Sequence, residues 1–219
     1  MRKFLSLCLV VLVLITMTNT PKVSAHEIYY TSSGTGINLK WDTLSAGKAY
    51  IQINGDYLSS SFTSPYTTAS FLWDTYISTK IDIEQATFGA STVTVSTPTK
   101  TWWDSKFGGS GGSSILSRQY IGYCESKTTD NVILTTLQDA QNSSKKIRYA
   151  SIFVSPYSDF SNDNHRKQVI VHEIGHALGL GHSDGDYNPT TDESVMIRAG
   201  YPGYYTPRSH DLTDIKDKY

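Results

Sequence analysis

The sequence predicts an α+β domain in which a strand-rich region precedes a long helix. Runs rich in β-branched and aromatic residues recur between residues 37 and 154, with turn-forming pieces between them. After residue 163 the apolar side chains repeat at helical spacing, and residues 209–218 form a second amphipathic stretch. These signals predict the class of fold but leave several arrangements of the sheet open.

The strand candidates share either period-two alternation or a high content of β-branched residues. They are residues 37–41, 49–53, 91–97, 115–123, 131–137 and 147–154. Residues 66–77 carry aromatic and apolar side chains at spacings that predict a helix between the second and third strands.

A long helix is predicted to begin after residues 161–163, whose short polar side chains suit an N-cap. Ile170 and Ile174 lie one turn apart and are expected to pack against the sheet. The helix is expected to end at Gly179, because glycine adopts the left-handed conformation without a Cβ clash. The amphipathic stretch 209–218 predicts a short helix that closes the domain.

Residues 172–182 read HEIGHALGLGH, which places three histidines and a glutamate at fixed spacing. His172 and His176 are about one helical turn apart, so both rings can reach one ion. His182 follows the predicted turn and can come back as a third ligand. Glu173 lies about 100° around the helix from His172 and can reach a water in the fourth position. The motif therefore predicts a catalytic zinc site with three histidine ligands and Glu173 as the general base.

This motif and the downstream Ser194-Val195-Met196 resemble the metzincin zinc endopeptidases, and Ser183 makes the likeness greatest to the matrixin branch. The resemblance implies a twisted mixed sheet, an active-site helix and a smaller irregular C-terminal subdomain below the cleft. The upper subdomain would cover about residues 37–182 and the lower one about 183–219. It also implies a single catalytic zinc, an apolar floor formed by Met196, and hydrolysis of protein or peptide substrates.

Two features depart from the family pattern. The loop of residues 183–193 is longer than its counterpart in animal matrixins, and Arg198 stands where astacin-like members carry a tyrosine. In the family plan, an exposed edge strand holds the substrate by backbone pairing, and residues 131–137 are the candidate. A specificity pocket with apolar, aromatic walls is expected within residues 198–208.

The N-terminus has the pattern of a secretory signal. Arg2 and Lys3 precede an apolar run over residues 4–15, and Val23 and Ala25 provide small residues before a cleavage point. We therefore predict a signal peptide at 1–25, a single catalytic domain at 26–219 and an extracellular location. The apolar run is too short for a membrane anchor.

The net charge argues against one class of partner, and the cysteine content limits disulfide formation. The net charge is −1, and cleavage of the signal would remove basic residues only, which argues against a nucleic-acid partner. Cys124 would be the sole cysteine of the mature chain, so no intramolecular disulfide can form, and we predict a buried thiol in a strand and no cysteine switch. We expect a monomer.

Calcium is a second candidate ion. Asp184, Asp186, Asp192 and Glu193 are possible ligands, but no EF-hand spacing supports them, and a solvated acidic loop is the favoured interpretation.

Two other functions remain open. One is a non-catalytic secreted zinc-binding protein, which the intact Glu173 argues against. The other is a copper oxygenase that uses His26, the predicted mature N-terminal residue, together with His165 or His210 as a second histidine. Neither His165 nor His210 has a partner at ligand spacing.

Overall fold

A mixed β-sheet flanked by helices forms the protein, in a computed structural model that describes residues 39–42, 44–113, 117–118, 120–134, 142, 144–157, 160–182, 194–197 and 203–219. The strands are β1 (Lys40–Trp41), β2 (Leu44–Ser45), β3 (Lys48–Tyr57), β4 (Ile81–Gln85), β5 (Val93–Ser96), β6 (Gly122–Lys127), β7 (Lys146–Ile147) and β8 (Tyr149–Val154). The helices are α1 (Ser60–Ala69), α2 (Leu72–Ile77), α3 (Lys100–Phe107), α4 (Asp163–Ala177) and α5 (Ser209–Lys218). The predicted α+β class, with a mixed sheet and a long helix, is confirmed.

The main sheet has the order β4-β3-β5-β8-β6. The short β2 pairs with the first two residues of β3, and β5 pairs with the later residues of β3. Strands β3, β4, β5 and β8 are parallel, whereas β6 runs antiparallel to β8 and is the outermost strand among the described residues. The two-residue strands β1 and β7 form a separate parallel pair. An antiparallel strand at one edge of a largely parallel sheet is common in mixed folds.

The core lies between the sheet and α4. Alternate residues of the central strands point toward this helix, and Ile53, Val93 and Ile152 are at most 1% exposed. Every residue of α4 from 168 to 177 is buried, and the helix contacts α1, β6 and β8. A helix that is buried on all sides must present its polar side chains to an interior site, because unpaired buried polar groups are costly.

Several elements agree with the sequence analysis. The strands predicted at 49–53, 91–97 and 147–154 are confirmed as β3, β5 and β7 with β8, and 209–218 is confirmed as α5. The helix predicted at 66–77 is two helices, α1 and α2, with a break at Ser70. The Ser70 hydroxyl donates to the Tyr66 carbonyl at 2.7 Å, a local bond of the kind that competes with continuation of a helix.

Two strand predictions were wrong over most of their described residues. In the predicted strand 115–123, Ser117 belongs to a helical turn, and the strand begins only at Gly122. The Trp103 indole donates to the Ser117 carbonyl at 2.9 Å, so a long-range contact overrides the local pattern. In the predicted strand 131–137, the described residues 131–134 make only an isolated bridge between Ile133 and Lys127. The edge strand is therefore β6.

The elements β4 and α3 were missed by the sequence analysis. Strand β4 has only two apolar residues, which alternate with Asp82 and Glu84. It joins the sheet by parallel pairing with β3. Helix α3 is capped by the Thr99 side chain, which accepts a hydrogen bond from the Trp102 backbone N–H at 3.2 Å. Strand β4 therefore depends on a contact that the local pattern does not reveal, whereas the Thr99 cap is a local signal that was not recognised.

Some predictions fall on residues outside the described part of the chain. These are the signal peptide at 1–25, His26, the acidic loop 183–193, and residues 198–202 of the expected specificity pocket, Arg198 among them. Among the described residues, no helix is both long and apolar enough to span a bilayer.

Candidate metal centre

Helix α4 begins and ends where the sequence predicts. The Asn162 side chain accepts a hydrogen bond from the backbone N–H of His165 at 3.0 Å, which forms the N-cap. At the other end, Gly179 has a φ of +82°, and its N–H donates to the His176 carbonyl at 2.8 Å. The Leu180 N–H donates to the Gly175 carbonyl at 2.9 Å, which completes a Schellman turn. This turn reverses the chain toward the helix.

The turn brings the three predicted ligand residues together. His172 and His176 project from the same face of α4, and His182 returns to face them. The Nε2 atom of His176 lies 3.1 Å from the Nε2 atoms of both His172 and His182, and the remaining Nε2 pair is 3.3 Å apart. All three side chains are buried. Three ring nitrogens therefore converge on one point inside the protein.

Hydrogen bonds at Nδ1 of His172 and His176 determine whether their Nε2 atoms face the point of convergence with a proton or with a lone pair. His172 Nδ1 lies 2.8 Å from the Val195 carbonyl oxygen, and His176 Nδ1 lies 2.8 Å from the Leu180 carbonyl oxygen. A carbonyl can only accept, so each Nδ1 carries the proton, and each neutral ring turns an Nε2 lone pair inward. Two lone pairs at 3.1 Å repel each other unless a cation lies between them.

Zinc fits this donor set. Ligands about 2.0–2.1 Å from a tetrahedral zinc are separated by about 3.3 Å, close to the separations between the Nε2 atoms. The two Nδ1–H···O=C bonds are the outer contacts that orient metal-bound histidines. Three histidines leave a fourth position open, which is the arrangement of catalytic zinc sites.

Burial keeps the three rings neutral in the metal-free protein. Desolvation lowers the pKa of His172 from 6.5 to about 4. Desolvation and then the neighbouring His172 lower the pKa of His176 to about 3. The pKa of His182 is also well below its ordinary value, mainly through burial. The three imidazoles are therefore uncharged at neutral pH, which is the form that binds a metal ion.

These pKa values predict acid destabilisation of the metal-free protein. Between about pH 6.5 and pH 4 the unfolded chain binds protons at these histidines and the folded chain does not, so the free energy of unfolding should fall as the pH falls. Burial raises the pKa of Glu173, and smaller increases at Asp74, Asp211 and Asp214 act in the same direction, which opposes this trend. The larger decreases at four imidazoles, including that of His165 to about 4, outweigh them. Urea unfolding of chelator-treated protein across this range is the measurement, and a constant unfolding free energy would contradict the prediction.

Glu173 is fully buried beside the histidines. Neither of its carboxylate oxygens has a hydrogen-bond partner among the described residues. It lines a small cleft together with Ile121, Gln168, Val169, His172 and Ile197. Gly122 of β6 makes room for it, because a Cβ at that position would lie 2.3 Å from Glu173 Oε1. The carboxylate is thus held against the edge strand with its oxygens free for another partner.

Met196 packs against Gly175, the residue before His176 in α4. Its sulfur packs against Gly175 so closely that a Cβ there would be 2.3 Å away. The turn that carries Met196 is fixed by Asp211, whose carboxylate accepts from the Ser194 hydroxyl at 2.5 Å and from the Val195 N–H at 3.0 Å. Val195 in turn provides the carbonyl that orients His172.

Asp211 is a further residue near the site that was not predicted from the sequence. It sits in the first turn of α5, where its carboxylate also accepts from the Arg208 N–H at 2.8 Å. A capping role was readable from its position near a predicted helix start, but its contact with the Met196 turn was not. Burial raises the pKa of Asp211.

The remaining candidates lie outside the centre. Cys124 is buried in β6, as predicted, and burial raises the pKa of its thiol. His165 lies in the first turn of α4, and His210 is an exposed residue of α5 that lies 3.6 Å from Asp214. Within the described residues, the three converging histidines form the single cluster able to hold a metal ion.

The chain is similar to one known protein family and to several solved structures. Residues 73–214 match the matrixin family, which covers more than half of the chain. The crystal structure of myroilysin is similar at 12% identity, with 90% of this chain and 98% of that chain covered and a TM-score of 0.45. High choriolytic enzyme 1, a hatching enzyme zinc-protease from the medaka fish Oryzias latipes, is similar at 14% identity, with 81% and 92% covered and a TM-score of 0.43. No curated protein gives a significant match. From the family match, which includes the histidine motif, it follows that the chain belongs to the matrixin family of zinc metalloendopeptidases.

Proposed function

We propose that the protein is a secreted endopeptidase in which His172, His176 and His182 hold the catalytic zinc and Glu173 is the general base. The convergence of three buried Nε2 atoms carries this proposal. Zinc bound there supplies a Lewis acid that lowers the pKa of water and polarises a carbonyl. The two carbonyl acceptors behind His172 and His176 keep their rings in the ligating tautomer.

Glu173 is suited to move the proton. Burial raises the pKa of its carboxyl group, so its carboxylate is a stronger base than one in water. Its oxygens have no competing partner among the described residues, which leaves them available to the attacking water. In the proposed reaction Glu173 takes a proton from that water as the peptide carbonyl is attacked. It then gives the proton to the departing amine as the C–N bond breaks, and no covalent enzyme intermediate is needed.

Strand β6 is the proposed site of substrate pairing. The Ser155 N–H donates to the Ile121 carbonyl at 3.0 Å. The backbone N–H and C=O groups of the odd-numbered residues in this region therefore point toward β8. Because the bonds of an antiparallel ladder alternate, the N–H and C=O groups of Gly122 and Cys124 face away from β8. An extended peptide can add there as a further strand and pass directly beside Glu173.

The location outside the cell is proposed from the N-terminal sequence. The basic residues, apolar run and small residues before position 26 have the pattern of a cleaved signal. Protein recovered from the medium of an exporting host should therefore begin at His26. N-terminal sequencing is the check, and retention of residues 1–25 in exported protein would contradict the proposal.

The function is tested by digestion of an unstructured protein such as casein. The purified chain is expected to contain about one zinc per molecule and to cleave casein; a chelator should abolish cleavage and added zinc should restore it. Cleavage that survives removal of the metal would contradict the proposed mechanism. If the zinc-loaded chain cleaves neither casein nor a peptide library, the alternative function is favoured, that of a secreted zinc-binding protein without catalytic activity.

A further inference from the structure

The last carbonyl groups of α4 have partners far away in the sequence. The final turn of any helix leaves carbonyls without an intrahelical donor. The Schellman turn satisfies those of Gly175 and His176, but not those of Ala177 and Leu178. The Trp41 indole Nε1–H donates to the Ala177 carbonyl at 2.8 Å, and the Tyr219 hydroxyl donates to the Leu178 carbonyl at 3.0 Å.

Trp41 and Tyr219 are joined to each other as well as to the helix. The Trp41 backbone N–H donates to the Tyr219 hydroxyl oxygen at 3.2 Å, so this hydroxyl accepts one bond and donates another. Trp41 is 2% exposed and belongs to β1, which pairs with β7. The Lys218 ammonium donates to the Leu39 carbonyl at 3.1 Å, which connects the end of α5 to the residue just before the same strand. Strand β1 and the end of α5 therefore form one brace across the end of α4.

The braced turn is the part of the chain that orients a proposed ligand. The Leu180 carbonyl, two residues beyond the braced Leu178, holds His176 Nδ1 at 2.8 Å. Gly179 is pressed between these positions, because a Cβ there would lie 2.4 Å from the Leu39 carbonyl oxygen. A shift of the turn would move the Leu180 carbonyl and rotate the ring of His176. It would also move His182, which follows two residues later.

We propose that Trp41 and Tyr219 are positioning residues for the metal centre: their hydrogen bonds to the last two carbonyls of α4 hold the turn that orients His176 and places His182. This inference rests on the proposed ligand assignment. Neither side chain contacts the converging nitrogens, so the effect of each on zinc passes through the backbone of the turn.

The test compares Trp41→Phe and Tyr219→Phe with a matched control, Trp103→Phe. Trp103 is also a fully buried indole whose N–H donates to a backbone carbonyl, that of Ser117 at 2.9 Å, but it lies on α3. The zinc Kd is measured by competition with a chromogenic chelator, and the absorption spectrum of the cobalt-substituted protein reports ligand geometry. Thermal unfolding of the metal-free variants reports general stability.

Trp41→Phe and Tyr219→Phe are each expected to weaken zinc binding about tenfold, the lower end of the effect of losing an outer contact to a metal ligand, and to shift the cobalt spectrum. Trp103→Phe should lower thermal stability but leave the zinc Kd within about twofold of the parent, because no bond to the turn is lost. The proposal is overturned if Trp41→Phe and Tyr219→Phe both bind zinc with the same Kd as Trp103→Phe.

Tyr219→Phe removes a single hydroxyl from a partly exposed side chain, so it keeps the test decisive if Trp41→Phe does not fold. The ligand assignment itself is tested by His176→Ala, and an unchanged zinc Kd in that variant would refute it. This measurement distinguishes failure of the proposed function from failure of the present inference.

Discussion

Glu173→Gln is expected to lower kcat by roughly 10²–10⁴-fold while leaving zinc content and fold intact. Glutamine has nearly the same shape, so it fits the space that Gly122 leaves beside β6. It cannot accept a proton from water. Because Glu173 is proposed as the base and not as a ligand, the three histidines should still bind the metal. Casein cleavage, zinc analysis and circular dichroism of the purified variant are the measurements.

The matched control is Glu125→Gln, at the other buried glutamate of the described chain. The Glu125 carboxylate lies 3.2 Å from Lys127 and 3.7 Å from Lys106, so its charge is paired with lysines and not directed at the histidines. This variant should retain kcat within a few fold, although it loses some stability. Equal activity of Glu173→Gln and the parent would refute the assignment of the base.

Gly179→Ala is expected to destabilise the protein and weaken zinc binding far more than Gly47→Ala. Both glycines have a positive φ, +82° and +80°, where alanine costs roughly 1–2 kcal/mol. A Cβ at Gly47 meets nothing within 4 Å, whereas at Gly179 it would lie 2.4 Å from the Leu39 carbonyl oxygen. Gly47→Ala should therefore show the conformational cost alone, and Gly179→Ala should add displacement of the turn that places His176 and His182.

Urea unfolding and the zinc Kd distinguish the two variants. Gly179→Ala should lose about 3 kcal/mol or more of unfolding free energy, within the range of severe single substitutions, together with most of its zinc affinity. Gly47→Ala should keep the parent's zinc Kd. Similar losses in both variants would show that the contact with Leu39 has no effect, and would weaken the case for a braced turn.

The features predicted well from the sequence are those that depend on neighbours within one or two helical turns. Asn162 caps α4 through a side chain three residues from its partner, and Gly179 ends the helix through its own φ. The spacing of His172 and His176 places them on one face through helical geometry alone. The extent of α5 follows from its amphipathic period in the same way. Such features need no knowledge of the rest of the fold.

Apart from α3, whose Thr99 cap is local, the features that were missed or misplaced depend on residues far apart in the chain. Among the described residues, the edge strand is β6 and not residues 131–134, because strand pairing depends on the whole sheet and not on local β-propensity alone. The contacts of Asp211 with the Met196 turn, and of Trp41 and Tyr219 with α4, join positions separated by 16 to 136 residues.

The sequence by itself thus determined the donor set, its spacing, the helix that carries it and the family to which the chain belongs. Only the tertiary structure decided how His182 meets the other two rings, what holds Glu173 against β6, and which residues satisfy the end of α4. The physical reason is range: helical periodicity and caps act between near neighbours, whereas burial and long-range hydrogen bonds are set when the chain packs.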